Sequence, residues 1–362
     1  MFHHLRKLDW WLILPVFILS AAGLAAIYSS SAGTGDFGNF KKQIIFLVLG
    51  FFLMFAASFI DWRIFTANRY IVLVLYFFCV LALFGLFFFA PVIRGIKGWY
   101  KLGPFSLDPV EITKLALIIL LAKYFSTRHI EVYRIVHILI SGLYILLPVA
   151  LIFFQPNLGS SLIFIALWLA ILIVSGVKIR HFLLLLFCGF LVCAASWFFL
   201  LKDYQKQRVM VFIAPQTSSS LSLGWNQAQA KIAIGSGGLW GQGFLHGSQA
   251  RYGFLPEPQT DFVFAALAEE FGLAGVSVIL LLFALLLSRI VKIASFSRAN
   301  FSRLFSAGVA VSIFCQVFIN IGMNLGLLPI IGISLPFLSY GGSGLLAVFL
   351  TLGLLQSVKI SV

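Results

Sequence analysis

Apolar runs of about twenty residues recur along this chain of 362 residues, more than any soluble core can absorb. A hydrocarbon layer about 30 Å thick takes roughly 20 helical residues to cross. Ten stretches qualify: 11–30, 43–60, 70–92, 107–124, 135–154, 158–177, 181–201, 261–288, 304–327 and 336–358. Within lipid, a backbone must satisfy its own hydrogen bonds, so such runs become helices. The expected fold is therefore an all-α polytopic membrane protein of about ten transmembrane helices. Composition agrees, with 61% apolar and 10% charged residues and a mean hydropathy of +1.07. No small-residue cleavage site follows the first run, which is expected to stay as an anchor.

Basic residues orient the helices. With the N-terminus in the cytoplasm, the inner segments hold Arg6, Lys7, Arg63, Arg69, Lys123, Arg128, Arg134, Lys178, Arg180, Arg289, Lys292, Arg298, Arg303 and Lys359, fourteen of the 25 Lys and Arg. The short outer loops hold Lys41, Lys42, Arg94, Lys97 and Lys101, and fourteen against five is the asymmetry of the positive-inside rule. Both termini are then cytoplasmic. A large extracytoplasmic loop, 202–260, separates helices seven and eight within one integral membrane domain, 1–362. The net charge of +14 is mostly this topological signal. No basic run interleaved with aromatic residues points to nucleic acid. The four cysteines lie in apolar runs, without the spacing of a zinc site or a disulfide framework.

The remaining ionisable residues gather at the outer face. An ionisable group at membrane depth is costly and marks function by default. Glu111 and Lys114 stand at i and i+3, on one helix face. They are either a self-neutralising pair or a cation held in place for an anionic ligand. Pro109 suits the first turn of their helix. The glycine-rich "GSGGLWGQGFLHGSQARYGF" at 235–254 lacks the GK[ST] ending of a phosphate-binding loop and reads as tight turns and close backbone approaches. "WNQAQAKIAI" before it can form a short surface helix carrying Gln229 and Lys231. "PEPQTDFVFAALAEEF" at 256–271 opens the eighth run with Asp261, Glu269 and Glu270. On a helix, Asp261 and Glu269 would stand about 12 Å apart, so they are not a hydrolase-style pair. Asp261 at the mouth is either a catalyst or an acid complementing the helix dipole, an effect of about 0.3–1 kcal/mol.

"QRVMVFIAP", "QAKIAIGSGGLWGQGFLHGSQ", "FLPEPQTDFVFAALAEEFGLAG" and "NIGMNLGLLPIIGISLPFLSYGGSG", in this order, resemble the SEDS family (shape, elongation, division and sporulation). "GFLHGSQ" looks like its RodA-like elongation branch rather than its division branch. The resemblance covers nearly the whole chain. It implies a peptidoglycan glycosyltransferase that polymerises lipid II during cell elongation and shape maintenance, by inverting displacement of a polyprenyl diphosphate. It also implies the bacterial cytoplasmic (inner) membrane, with the active site facing outward. Asp261 then matches the essential aspartate of the family's TDF motif. Lys42, Glu111, Lys114, Gln229, Lys231 and Ser343 match polar positions expected at the substrate, with Lys97 the nearest cation to Trp99. A divalent cation, Mg²⁺ or Mn²⁺, is implied by the family alone, and the sequence offers no ligand cluster for it. The implied partners are a class B penicillin-binding protein, the proteins of the rod elongation complex and membrane lipids.

The chain departs from the family pattern at four positions. Asp108 and Val110 stand where Gln and Ser are usual, Gly98 replaces a basic residue, and Asn157 replaces an acid in "QPNLG". Two rival readings stay open. A lipid II flippase would want buried charges along a path to the inner leaflet, as Glu269 and Glu270 could provide. A scaffold would only dock a penicillin-binding protein.

Overall fold

The computed structural model describes residues 2–91, 98–103, 105–128, 135–155, 157–199, 206, 210, 212 and 221–361. Lys97, most of 200–220 and with it most of the QRVMVFIAP motif lie outside the described residues. The helices are α1 Phe2–Lys7, α2 Trp10–Thr34, α3 Gly38–Ser58, α4 Arg63–Ala67, α5 Arg69–Phe89, α6 Pro109–Thr127, α7 Ile135–Phe154, α8 Leu158–Ser175 and α9 Ile179–Phe199. After the outer loop come α10 Leu221–Gly237, α11 Ser248–Arg251, α12 Val263–Phe296, α13 Asn300–Leu325 and α14 Gly342–Ile360. A short antiparallel hairpin, β1 Tyr100–Leu102 and β2 Phe105–Leu107, leads into α6.

Among the described residues nine helices are long and apolar enough to span a membrane. The candidate left over is α6, whose 19 residues include Glu111, Lys114 and Lys123. It is the candidate for a tenth span. Lys359 Nζ donates to the Lys7 carbonyl at 2.6 Å, so the two chain ends meet at one end of the bundle. An even number of crossings, with α6 added to the nine, is consistent with that meeting. Far from facing lipid, α6 is nearly all buried, packed against α5, α13 and α14. Its charges are tolerated because protein surrounds them.

Lipid and core are both apolar, so the helices show no single greasy face. Phe52, Phe78, Phe88 and Phe190 point outward, while Ser31, Gln43, Asn320, Asn324 and Gln356 are buried among the helices. Each of these polar groups has a hydrogen-bond partner. In hydrocarbon the alternative costs several kcal/mol per group, by an order-of-magnitude estimate. The span of α9 buries none of its residues and leaves its sides to lipid.

Helix α12 is broken. Gly272 takes φ 64° and ψ −165°, which only glycine adopts without strain. The break frees backbone groups, and the glycine-rich loop supplies their partners. Leu273 and Ala274 amides donate to the carbonyls of Gly238 and Leu239 at 2.9 and 3.0 Å. Gln242 and Gly243 amides donate to Glu269 and Glu270 carbonyls at 2.9 and 3.0 Å. The strands of chain are so close that a Cβ on Gly272 would lie 2.3 Å from the Gly241 nitrogen. Those glycines serve close backbone approach, as their spacing suggests. Gly272→Ala is expected to destabilise the fold by at least about 1–3 kcal/mol, read as a lowered melting temperature in detergent. An unchanged melt would show that the break is not built in.

Candidate functional site

The site grows from the turn ahead of α12. This helix starts at Val263, two residues past Asp261, so Asp261 is not on the helix, and the 12 Å helical spacing to Glu269 does not apply. Thr260 and Phe262 amides both donate to the Glu257 carbonyl, closing a tight turn in which Glu257 has φ 46°. Asn320 and Asn324, one turn apart on α13, both donate to the main-chain carbonyl of Asp261 at 3.0 Å. Asn324 also accepts the amide hydrogen of Ala265 at 3.2 Å, satisfying a first-turn donor of α12. An asparagine of another helix thus does the work of a cap, which weakens the reading of Asp261 as only a cap.

Sequence periodicity places a helix over 336–358, but α14 begins at Gly342. Gly326 ends α13 in the left-handed region, Gly332 has φ 71°, and Pro329 and Pro336 deny helical hydrogen bonds. The 326–341 segment is consequently a loop, and it belongs to the site. Ser339 Oγ donates to the Thr260 carbonyl at 2.6 Å and accepts from the Leu335 amide at 2.8 Å. The Tyr340 amide donates to the Gln259 carbonyl at 2.7 Å. Gln43, on α3, donates to the Ser339 carbonyl at 3.3 Å. Gly23 on α2 lets the loop settle, since a Cβ there would lie 2.6 Å from the Leu338 backbone.

The second half of the site is on α6. Glu111 and Lys114 form an ion pair at 2.8 Å, with side chains 15% and 5% exposed. Glu111 lines one small cavity with Ser334, Ser339 and Gly341, and a neighbouring one with Lys114, Ser312 and Gln316. The turn that carries Asp261 and the ion pair therefore both lie against the 334–341 loop. Lys42 is half-buried and adjoins Gln43, which holds that loop. Ser343 Oγ accepts the Asp108 amide at 3.0 Å, fixing the start of α6. Gln229 is buried on α10. Lys231, exposed on the same helix, lies over Gly326, where a Cβ would meet its Cε at 2.1 Å.

Two sequence departures turn out to be helix caps. Asp108 accepts the Val110 amide at 2.9 Å at the start of α6, and Asn157 accepts the Ser160 amide at 3.2 Å at the start of α8. Each is the N-cap of its own helix, a role that both residue types fill well. Glu269 also has a structural task. It accepts the Gln249 and Ala250 amides at 2.7 and 3.2 Å and the Ser248 hydroxyl at 3.1 Å, anchoring α11 to α12. Glu270 takes the Ser29 hydroxyl. Glu269 no longer supports a flippase path, because it ties down a loop rather than lining one. Sequence reasoning missed Gln43, Asn320 and Asn324 as positioning groups, and it reached Ser339 only as part of the SYGGS stretch. The i, i+4 spacing of Asn320 and Asn324 within an apolar run was the available signal.

A family model described as "Cell cycle protein", covering FtsW, RodA and SpoVE, matches residues 9–362. Peptidoglycan glycosyltransferase MrdB of Escherichia coli K12 is 35% identical over 345 residues, covering 94% of this chain and 91% of that protein. Stage V sporulation protein E of Bacillus subtilis is 34% identical, covering 97% of this chain and 96% of that protein. Among solved structures, a chain from a peptidoglycan synthase complex that coordinates polymerization and crosslinking superposes with a TM-score of 0.84 at 32% identity, covering 97% of both chains. The rod shape determining protein RodA of Thermus thermophilus superposes with a TM-score of 0.72 at 29% identity, covering 97% of this chain and 96% of that one.

Proposed function

The chain belongs to the FtsW, RodA and SpoVE family of cell cycle proteins, and from that premise we propose that it is a peptidoglycan glycosyltransferase of cell elongation, polymerising lipid II. The observation that carries this is the shared loop: the Asp261 turn and the Glu111–Lys114 pair both lie against residues 334–341. Joining two lipid-linked disaccharides requires a sugar 4-hydroxyl to attack an anomeric carbon. A new C–O bond forms with inversion as the bond to the diphosphate oxygen breaks, and polyprenyl diphosphate leaves. Asp261 is proposed to take the proton of the attacking hydroxyl, the one base that a single displacement needs. Lys114, steadied by Glu111, and Lys42 are proposed to stabilise the charge gathering on the leaving diphosphate. Gln229, Lys231, Ser343 and Lys97 are proposed to position the substrate around them. The lipid tails stay in the bilayer beside the exposed aromatic helix surfaces.

No three His, Cys, Asp or Glu side chains converge among the described residues, so these do not build a cage for a resident metal. Any Mg²⁺ or Mn²⁺ is accordingly proposed as a companion of the substrate diphosphate, and no step is routed through it. A polymerase alone leaves peptides uncross-linked, and the one SxxK spacing in this sequence, Ser175 to Lys178, straddles the left-handed cap of α8 at Gly176 instead of placing serine and lysine one turn apart on a helix, as a transpeptidase requires. A class B penicillin-binding protein within the elongation complex is proposed as partner, supported by the likeness to a chain of a synthase complex. Inner-membrane residence with the site facing outward is proposed from the charge asymmetry. The test incubates purified protein with lipid II, with and without that partner and with a chelator titration. Muramidase-sensitive glycan strands that increase with the partner are expected, and lipid II returned unchanged under every condition would refute the reading.

A further inference from the structure

A second charged cavity, of about 280 Å³, lies at the opposite end of α12 from Asp261. It opens where the two chain ends meet, and Lys7, Arg289, Lys292 and Lys359 surround it with one acid, Asp9. That acid is already spent. Asp9 Oδ2 accepts from Arg289 Nη2 at 2.6 Å and from Nε at 3.2 Å. The Asp9 backbone is fixed in turn by Gln356, through bonds of 2.9 and 3.2 Å. The three lysines remain without an acidic counterpart among the lining residues. Lys359 Nζ is held by the Lys7 carbonyl at 2.6 Å, and Lys292 Nζ lies over the Phe296 ring at 5.9 Å from its centre. The rest of the wall is apolar, from Ile293, Phe296 and Ile360. Phe296 is 66% exposed, so its ring is open to an apolar ligand at the mouth of the cavity.

A pocket with three uncompensated cations, an apolar wall and a place between helix ends suits one ligand chemistry. We propose that this cavity binds the phosphodiester headgroup of an anionic phospholipid from the leaflet opposite the Asp261 site. The lysines meet the phosphate oxygens as point charges, and the apolar wall meets the glycerol and upper acyl carbons. The volume suits more than solvent, since a water takes about 30 Å³ of liquid. The site would tie α2, α12 and α14 together at the end where their chain termini converge. It stands independently of the glycosyltransferase reading.

The full chain in detergent would be titrated with phosphatidylglycerol, with phosphatidylcholine and with inorganic phosphate, scoring bound lipid by native mass spectrometry. Wild-type protein is expected to prefer phosphatidylglycerol by about tenfold or more, with inorganic phosphate competing poorly. The double variant Lys292→Ala/Lys359→Ala should fall to the phosphatidylcholine level, while Lys178→Ala/Arg303→Ala, two exposed cations outside the cavity, should keep the preference. Lys292→Gln alone provides a gentler variant should the double one fail to fold, and it is expected to lose part of the preference. An unchanged preference in the cavity variants would overturn the proposal. So would an equal loss in the Lys178/Arg303 pair, which would mean diffuse surface charge, or inorganic phosphate competing as strongly as lipid, which would mean a free-anion site.

Discussion

Asp261→Asn is expected to reduce polymerisation of lipid II by about 10²–10⁴-fold, the usual contribution of a positioned general base. The fold should survive. Asn320 and Asn324 hold the main-chain carbonyl of residue 261, which the substitution keeps, and the α12 amide of Ala265 is satisfied by Asn324. Lipid II binding should therefore remain near wild type while turnover collapses, so that kcat falls with little change in apparent KM. The measurement is the initial rate of glycan formation beside a direct binding titration. If rate and binding fell together, Asp261 would hold substrate rather than transfer a proton. A variant with near-normal polymer formation would leave it no catalytic part.

Lys114→Ala carries the second large effect, on both stability and rate. The Glu111–Lys114 pair is 15% and 5% exposed, so removing the lysine strands a carboxylate inside the bundle. Breaking a buried pair in this way costs about 3–5 kcal/mol, much of it the cost of the charge left behind. Pairing the change with Glu111→Gln should restore most of the melting temperature, because no buried charge is then left alone. It should not restore polymerisation, because the cation for the leaving diphosphate is still missing. That split separates a functional lysine from a structural one. Lys42→Ala should weaken polymerisation without a comparable loss of stability, and Lys178→Ala should change neither. If the double variant recovered its rate together with its fold, the pair would be only a self-neutralising one.

The helices were legible because hydrocarbon imposes a length and a composition that any reader of the sequence can count. The site was legible in parts. Asp261, Glu111 and Lys114 stood out as charges in runs that had no other use for them. What joined them was hidden. Gln43, Thr260 and Ser339 lie far apart in sequence and meet only through bonds at 3.3 and 2.6 Å, which no periodicity reports. The 326–341 loop was misread in part as helix, since "SLPFL" is as apolar as its neighbours and hydropathy does not register a left-handed turn at Gly332 or Phe337. Glu269 looked like a charge in transit across the membrane. It proved to be an anchor for α11, a role visible only once Ser248, Gln249 and Ala250 are brought to it.

Reconstitution into liposomes with lipid II on both leaflets, scoring glycan polymer and lipid II flipping in the same vesicles, tests the central claim most directly. Wild-type protein should make polymer, Asp261→Asn should make none, and neither should raise flipping above protein-free vesicles. Flipping by both proteins with polymer from neither would contradict the enzymatic account and make this fold a transporter.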